Sequence, residues 1–325
     1  MRTFAGYNPA MQQAGESQSL PLPGSRAPRH TPLNQCVISF GSNLGDRREL
    51  IAAAARQLAA CAWIDGEYGL RTSRLFETPP IGGPDQQEPF LNAIGVFDTR
   101  ASAGTILHTL QQLEAELGRQ RRRRWDARSI DLDVVLHGNL VGGATGLVVP
   151  HPRYTARRFV LVPACDVASH FRDPRFGWTL GELAAHLDAD VPSLALATGR
   201  MELRETLCRR LSREHGIVVR EFAATDEAVG PSPPGTGWVT SHVPRLPKAG
   251  DVSTQSGYPR LLVRIQRSDP ASAWPAPHQM WPAGWNWPEY RLEVDDEDWA
   301  VSELASAYDS MRCTVQPVTA DGHWW

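Results

Sequence analysis

Two carboxylates stand at i and i+2, Asp131 and Asp133, in the segment Ser129-Ile-Asp-Leu-Asp-Val-Val-Leu. Successive side chains of a strand leave opposite faces, so both carboxylates are predicted to project from one surface while Ile130, Leu132 and Val134 pack on the other. Such a surface suits Mg²⁺, which keeps waters and binds one or two carboxylates together with substrate phosphates. Immediately upstream, Gly118-Arg-Gln-Arg-Arg-Arg-Arg-Trp-Asp-Ala-Arg128 brings six arginines into one short stretch. Phosphoryl transfer asks a protein for positioning and charge stabilisation, and guanidinium forks and metal ions provide both. Alone, a D-x-D pair reads as a soluble strand face and an arginine run as a solvated or nucleic-acid-binding stretch. Side by side they favour phosphate handling, because the carboxylates would repel a nucleic acid unless metals were bound.

These residues need elements to hold them. Residues 36–40 form a short apolar run, predicted to be a strand, and Gly41-Ser-Asn-Leu-Gly-Asp turns from it into an alanine-rich helix over 49–61. Strands are expected over 71–77 and 90–97, separated by a Pro- and Gly-rich loop over 78–88. A second helix over 102–117 ends at Gly118, and a strand over 130–136 follows. Two helices against consecutive and crossing strands predict an α+β fold, a ferredoxin-like sandwich rather than a doubly wound sheet. A smaller α/β C-terminal domain is expected over 188–325, with strands over 260–265 and 290–294 and a helix over 299–311. Within it, residues 223–256 are rich in Pro, Gly, Ser and Thr and read as a flexible linker. Residues 1–34 hold Pro21, Pro23, Pro28 and Pro32 with no apolar period and read as a disordered tail, leaving 35–187 as the catalytic domain.

The bulk properties set limits. With 325 residues, 42% of them hydrophobic, the chain can bury a full core, and its formal net charge of −3 argues against a general polyanion binder. Five scattered cysteines with no C-x-x-C pair indicate neither a disulfide framework nor a zinc site. No apolar run reaches bilayer length and the first thirty residues lack a secretory hydrophobic segment, so a cytoplasmic protein without membrane or nucleic-acid partners is expected.

Six blocks then carry a resemblance. Gly41-Ser-Asn-Leu-Gly, Phe76-Glu-Thr-Pro-Pro-Ile-Gly, Phe90-Leu-Asn92, Leu113-Glu-Ala-Glu-Leu-Gly-Arg119, Arg128-Ser-Ile-Asp-Leu-Asp133, and Val149-Pro-His-Pro-Arg153 with Arg157-Arg-Phe-Val-Leu-Val-Pro163 resemble, in order and spacing, the 6-hydroxymethyl-7,8-dihydropterin pyrophosphokinases. The resemblance covers about residues 36–187. It implies transfer of diphosphate from ATP to a pterin alcohol in folate biosynthesis, with release of AMP. It also implies a pterin ring stacked between Phe90 and Phe159, with Asn92 and the backbone around Thr78 and Ile81 reading its edge. Asp131 and Asp133 would hold two Mg²⁺ ions. Gln111, Glu114, Arg119, His151 and Arg157 would surround ATP, and Arg121, Trp125 and Arg128 would belong to a loop that closes over both substrates. Gly146 and Val148 stand where the family often has a basic residue and a Thr, and Pro152 where some members have Tyr.

The C-terminal part is weakly similar to deoxynucleoside kinases. A phosphate-binding loop needs G-x-x-x-x-G-K-[ST], and here Gly199 and Thr206 keep their places while Arg204 replaces the second Gly and Glu205 the Lys. A degenerate kinase-like domain is therefore expected, with a family-specific extension, packed on the enzyme domain or on a second copy in a homodimer, as the alternative. A regulatory pterin- or nucleotide-binding module is the rival to the enzyme reading, and a mere binder has no need of a metal pair.

Overall fold

The computed structural model describes residues 33–83, 87–119, 127–144, 146–222, 235–247, 257–267 and 287–325. The tail before residue 33 and residues 120–126, which include Arg121 and Trp125, lie outside them. In chain order the first elements are β1 (Asn34–Ser42), α1 (Arg47–Ala59), β2 (Arg71–Thr72), β3 (Phe76–Thr78), β4 (Phe90–Thr99), α2 (Ala103–Glu116) and β5 (Asp131–His137). Asp46 caps α1 by accepting from Glu49 N–H at 3.0 Å, and Ser102 caps α2 by accepting from Thr105 N–H at 3.1 Å.

Strand β1 is apolar along most of its length because it runs between β4 and β5 with antiparallel pairing on both sides. Cys36, Ile38 and Phe40 point into one cluster with Ile51, Ala55 and Leu58 of α1 and Ile106 and Leu110 of α2. Alternation therefore turns Val37, Ser39 and Gly41 to the opposite face, along with Asn92 of β4 and Asp131 and Asp133 of β5. The expected strand over 71–77 is broken into β2 and β3. At Ser73 the hydroxyl accepts Ile94 N–H at 2.9 Å, so a side chain takes the place of a ladder group.

A short hairpin of β6 (Gly142–Ala144) and β7 (Leu147–Val149), a 3₁₀ turn at Tyr154–Ala156 and the helices α3 (Arg158–Val167) and α4 (Leu180–Asp188) follow. Next come β8 (Ser193–Ala197), α5 (Met201–His215), β9 (Val218–Val219), β10 (Trp238–Thr240), β11 (Leu261–Arg267) and β12 (Glu289–Val294), then α6 (Glu297–Ser310) and β13 (Gln316–Pro317). The strands β8 to β12 make a parallel sheet in the order β12-β11-β8-β10-β9. Strand β10 lies inside the stretch expected as linker, and Trp238 and Val239 are wholly buried. Three residues are too few to show a period, which is why Gly- and Ser-rich flanks masked it.

Residues 33–325 form one compact unit. One apolar cluster joins Val37, Ile94 and Val96 of the first sheet to Leu161 of α3 and Leu183 of α4, and these to Leu196, Val263, Leu292 and Leu304 from beyond residue 188. Beside it, Arg175 pairs with Asp173 at 2.6 Å and with Glu289 at 3.3 Å, and Arg264 and Arg291 also pair with Glu289, all buried. Strand β13 returns to the first sheet and pairs with β3. Among the described residues no helix is long and apolar enough to cross a membrane.

Candidate active site

The face opposite α1 and α2 opens into a cleft lined by Thr78, Ile81, Phe90, Asn92, Arg119, Arg128, Asp131, Asp133, His151, Arg157 and Phe159. Its floor is set by strand register. Gly41 of β1 pairs with Asn92 on one side and with Asp131 on the other. A Cβ at Gly41 would lie 3.4 Å from Asn92 Oδ1 and 3.8 Å from Asp131 Cβ, so the missing side chain keeps the floor open between them.

At the acidic end, Asp131 pairs with Arg119 at 2.6 Å and with Arg128, while Asp133 lies 3.7 Å from both Arg157 and His151. Both carboxylates retain exposed surface, 21% and 35% of their side chains, and can take further ligands. Among the described residues no group of three or more His, Cys, Asp or Glu could cage a metal. Two hard carboxylates without a third ligand suit Mg²⁺ better than zinc or calcium, since Mg²⁺ draws its other oxygens from water and phosphate.

Two backbone devices hold this end. The register of β1 against β5 shifts between Val37 and Ile38, and the carbonyl of Val135 accepts His151 N–H at 2.9 Å. Asn43 N–H donates to Arg128 C=O at 3.0 Å, and Asn43 Oδ1 accepts Arg128 N–H at 2.7 Å, fixing the end of the arginine segment. Asn43 Nδ2 also donates to Gln87 at 3.0 Å, so the Gly-Ser-Asn motif ties two site loops together. His151 Nδ1 accepts Arg153 N–H at 3.2 Å, which leaves the proton on Nε2, toward Asp133. Burial, with Arg157 and Arg153 nearby, holds its pKa well below the ordinary imidazole value and keeps it neutral at pH 7.

At the other end, Asn92 Nδ2 donates to Thr78 Oγ1 at 2.8 Å, and Thr78 pairs with Phe90 across β3 and β4. Phe159 sits at the start of α3, half-buried against the core, with the Arg157 guanidinium 5.6 Å from its ring centre.

Two expected ATP neighbours do not line the cleft. Gln111 is exposed on α2. Glu114 is buried, accepting Leu132 N–H at 2.9 Å and pairing with Arg119, which itself lines the cleft. Burial raises its carboxyl pKa, although Arg119 opposes the shift.

The sequence also gave no sign of Tyr290, Glu303, Ser306 and Ser310, which line the cleft from β12 and α6. Glu303 pairs with Arg153 at 3.1 Å and accepts from Tyr290 Oη. Strand β12 also braces the His151 loop, since Arg291 N–H donates to Pro152 C=O at 3.0 Å and Thr155 Oγ1 to Glu289 C=O at 2.8 Å.

The second sheet has a different geometry at the degenerate motif. Helix α5 begins at Met201, leaving Thr198, Gly199 and Arg200 as the whole turn after β8. Thr198 Oγ1 donates to Ile265 C=O at 2.8 Å and accepts Ile265 N–H at 3.0 Å, and Arg204 Nη1 donates to Leu196 C=O at 3.2 Å.

A family model described as 7,8-dihydro-6-hydroxymethylpterin-pyrophosphokinase matches residues 37–169. A 2-amino-4-hydroxy-6-hydroxymethyldihydropteridine pyrophosphokinase of Haemophilus influenzae is 36% identical over 132 residues, covering 41% of this chain and 80% of the relative. One of Pseudomonas aeruginosa, with the same description, is 37% identical over 153 residues, covering 47% of this chain and 91% of the relative. A third, of Methylorubrum extorquens, is 37% identical over 136 residues, covering 42% of this chain and 84% of the relative. Sharing more than a third of its aligned residues with enzymes of which it spans at least four fifths, the chain belongs to the 7,8-dihydro-6-hydroxymethylpterin-pyrophosphokinase family.

Proposed function

We propose that the chain transfers diphosphate from ATP to 6-hydroxymethyl-7,8-dihydropterin, releasing AMP, as an enzyme of folate biosynthesis. The observation that supports this best is the register of Asn92, Gly41 and Asp131, which puts on one floor an amide that would read the heterocycle and a carboxylate that would face the phosphates. The pterin would stack between Phe90 and Phe159, its edge read by Asn92 and the backbone near Thr78 and Ile81. Asp131 and Asp133 would hold two Mg²⁺ ions, which supply charge neutralisation at the phosphates. Arg119, Arg128 and Arg157 reach the same carboxylates and can turn their forks to phosphate oxygens, while neutral His151 offers its Nε2 proton as a donor. Glu114 serves by holding Arg119. Arg121 and Trp125 would close over the substrates and exclude water, the competing acceptor.

We read the antiparallel sheet and its helices as a ferredoxin-like sandwich, and residues 188–325 as a degenerate kinase-like sheet. The parallel strand pairing and the turn closed by Thr198 support the second reading. A coupled assay for AMP formation with the pterin and MgATP tests the function. The wild-type chain should turn over, and Asp131→Ala or Asp133→Ala should abolish turnover in folded protein. Near wild-type activity in either variant would remove the metal assignment.

A further inference from the structure

The chain beyond α5 supplies walls to the cleft and braces others. Glu303, Ser306, Ala307 and Ser310 fall at i, i+3, i+4 and i+7 of α6 and so share one stripe, which faces the cleft. After α6 the chain touches both sides of the pocket expected to take the pterin. On one side Arg158 Nη1, adjacent to Phe159, donates to Cys313 C=O at 3.1 Å. On the other, β13 adds to the edge of β3, pairing Gln316 with Glu77 and Pro317 with Phe76, next to Thr78.

The last residues tighten this contact. Val318 N–H donates to Leu75 C=O at 2.8 Å, and Thr319 Oγ1 accepts Leu75 N–H at 2.9 Å. Trp324 is buried edge-on to Phe40, with ring centres 6.3 Å apart, and its Nε1 donates to Ser73 C=O at 2.7 Å. The fit allows no side chain at Gly322, where a Cβ would stand 2.0 Å from Thr72 C=O. Without this strap, β3 would be a three-residue strand held to β4 alone, and so short an edge opens easily.

We propose that residues 303–325 are a positioning element of the pterin pocket: α6 forms part of its wall, and the C-terminal strap holds Thr78 and the Phe159 helix at a fixed separation before substrate arrives. This rests on reading the cleft as a pterin site. A pocket ordered in advance loses less freedom on binding, so loosening the strap weakens the pterin first. Asp131 and Asp133 are held by the pairing of β5 with β1, and His151 by the Val135 carbonyl and the bonds of β12 to its loop, whereas the hydrogen bonds of the strap described above go to β3, Leu75 and Ser73, so ATP binding stays close to its original strength.

The test uses the full chain with Trp324→Phe, which keeps the apolar bulk but loses the bond to Ser73, and Gly322→Ala, which displaces the strap sterically. Steady-state kinetics and calorimetric titration with the dihydropterin and with a non-hydrolysable ATP analogue are compared, with circular dichroism to establish folding. The expected result is a pterin KM and Kd raised on the order of tenfold, the worth of about one buried hydrogen bond, with ATP constants within about twofold. Equal losses for both substrates, or no change for either in the folded double variant, would overturn the proposal. A wild-type chain that binds ATP but neither binds nor turns over the pterin would instead remove the functional reading beneath it.

Discussion

Asn92 and Asp131 stand in register on either side of Gly41, one on β4 and the other on β5. Two strand spacings separate them, roughly 10 Å, and their side chains share a face. The sheet itself thus fixes the span between the residue expected to read the heterocycle and the carboxylate expected to meet the phosphates. A side chain at position 41 would project into that span. Gly41→Val should therefore lower kcat/KM on the order of a hundredfold, because misplacing a bound substrate by about 1 Å costs that much. Steady-state kinetics on a variant with an unchanged far-UV spectrum checks it, and near wild-type kcat/KM would show that the floor is not used.

Phe159→Ala should weaken pterin binding far more than ATP binding. The ring faces the cleft from the start of α3 and only part of it packs on the core. Loss of a stacking face is worth about 0.5–1.5 kcal/mol beyond the area it covers. Calorimetry with each substrate separately decides the point: parallel losses would make Phe159 a packing residue.

How much of this could be read from the residues follows from the range over which each signal acts. Asp131 and Asp133 were legible because a period of two needs only five residues to show. The Asp46 and Ser102 caps and the left-handed Gly216 after α5 are equally local. The two α2 residues that the resemblance sets beside ATP stand back from the cleft for a reason that lies in the packing of the helix: α2 turns Glu114 inward to Leu132 N–H and leaves Gln111 exposed. The wall from α6 and the strap were hidden for a different reason. Pairing of Gln316 with Glu77 joins residues some 240 positions apart, as Leu75 and Thr319 are, through a two-residue strand with no period of its own. Trp324, which follows that two-residue strand, packs under the first sheet against Phe40 rather than in the second.

Stability should fall as pH drops from 7 to 5, and His186 should account for much of the slope. Its ring is wholly buried, edge-on to Trp178 and Trp287, and Nε2–H donates to Arg260 C=O at 2.9 Å. Burial, reinforced by the Arg260 charge, lowers its pKa from 6.5 to about 3. In the unfolded chain the same imidazole gains a proton below about pH 6.5 and the folded one does not. The unfolded state then binds more protons, so stability is full above the unfolded pKa and is lost as pH falls toward about 3. Between pH 7 and 5 this linkage is worth about 2 kcal/mol. Urea unfolding of wild type and His186→Gln at the two pH values checks it, and an identical pH dependence in both would show that His186 does not carry the slope.

One ATP, not two, should bind per chain. A phosphate loop works by leaving backbone N–H groups free to point at the anion ahead of a helix. Here only three residues, Thr198 to Arg200, separate β8 from α5, so the backbone from Met201 onward is already helical where the loop should be. The Thr198 hydroxyl, bonded both ways to the Ile265 backbone, closes the strand ends at the place where a nucleotide would enter. Glu205 adds a like charge at the position of the missing Lys, and Arg204 turns back to Leu196 C=O instead of outward. Truncation near residue 187 would cut the shared apolar cluster, so the count belongs on the intact chain. Equilibrium dialysis with MgATP should saturate at one equivalent, displaced by an ATP analogue in a single phase. Two equivalents, the second lost in a Thr198→Tyr variant that keeps the first, would mean that the parallel sheet is a live nucleotide site.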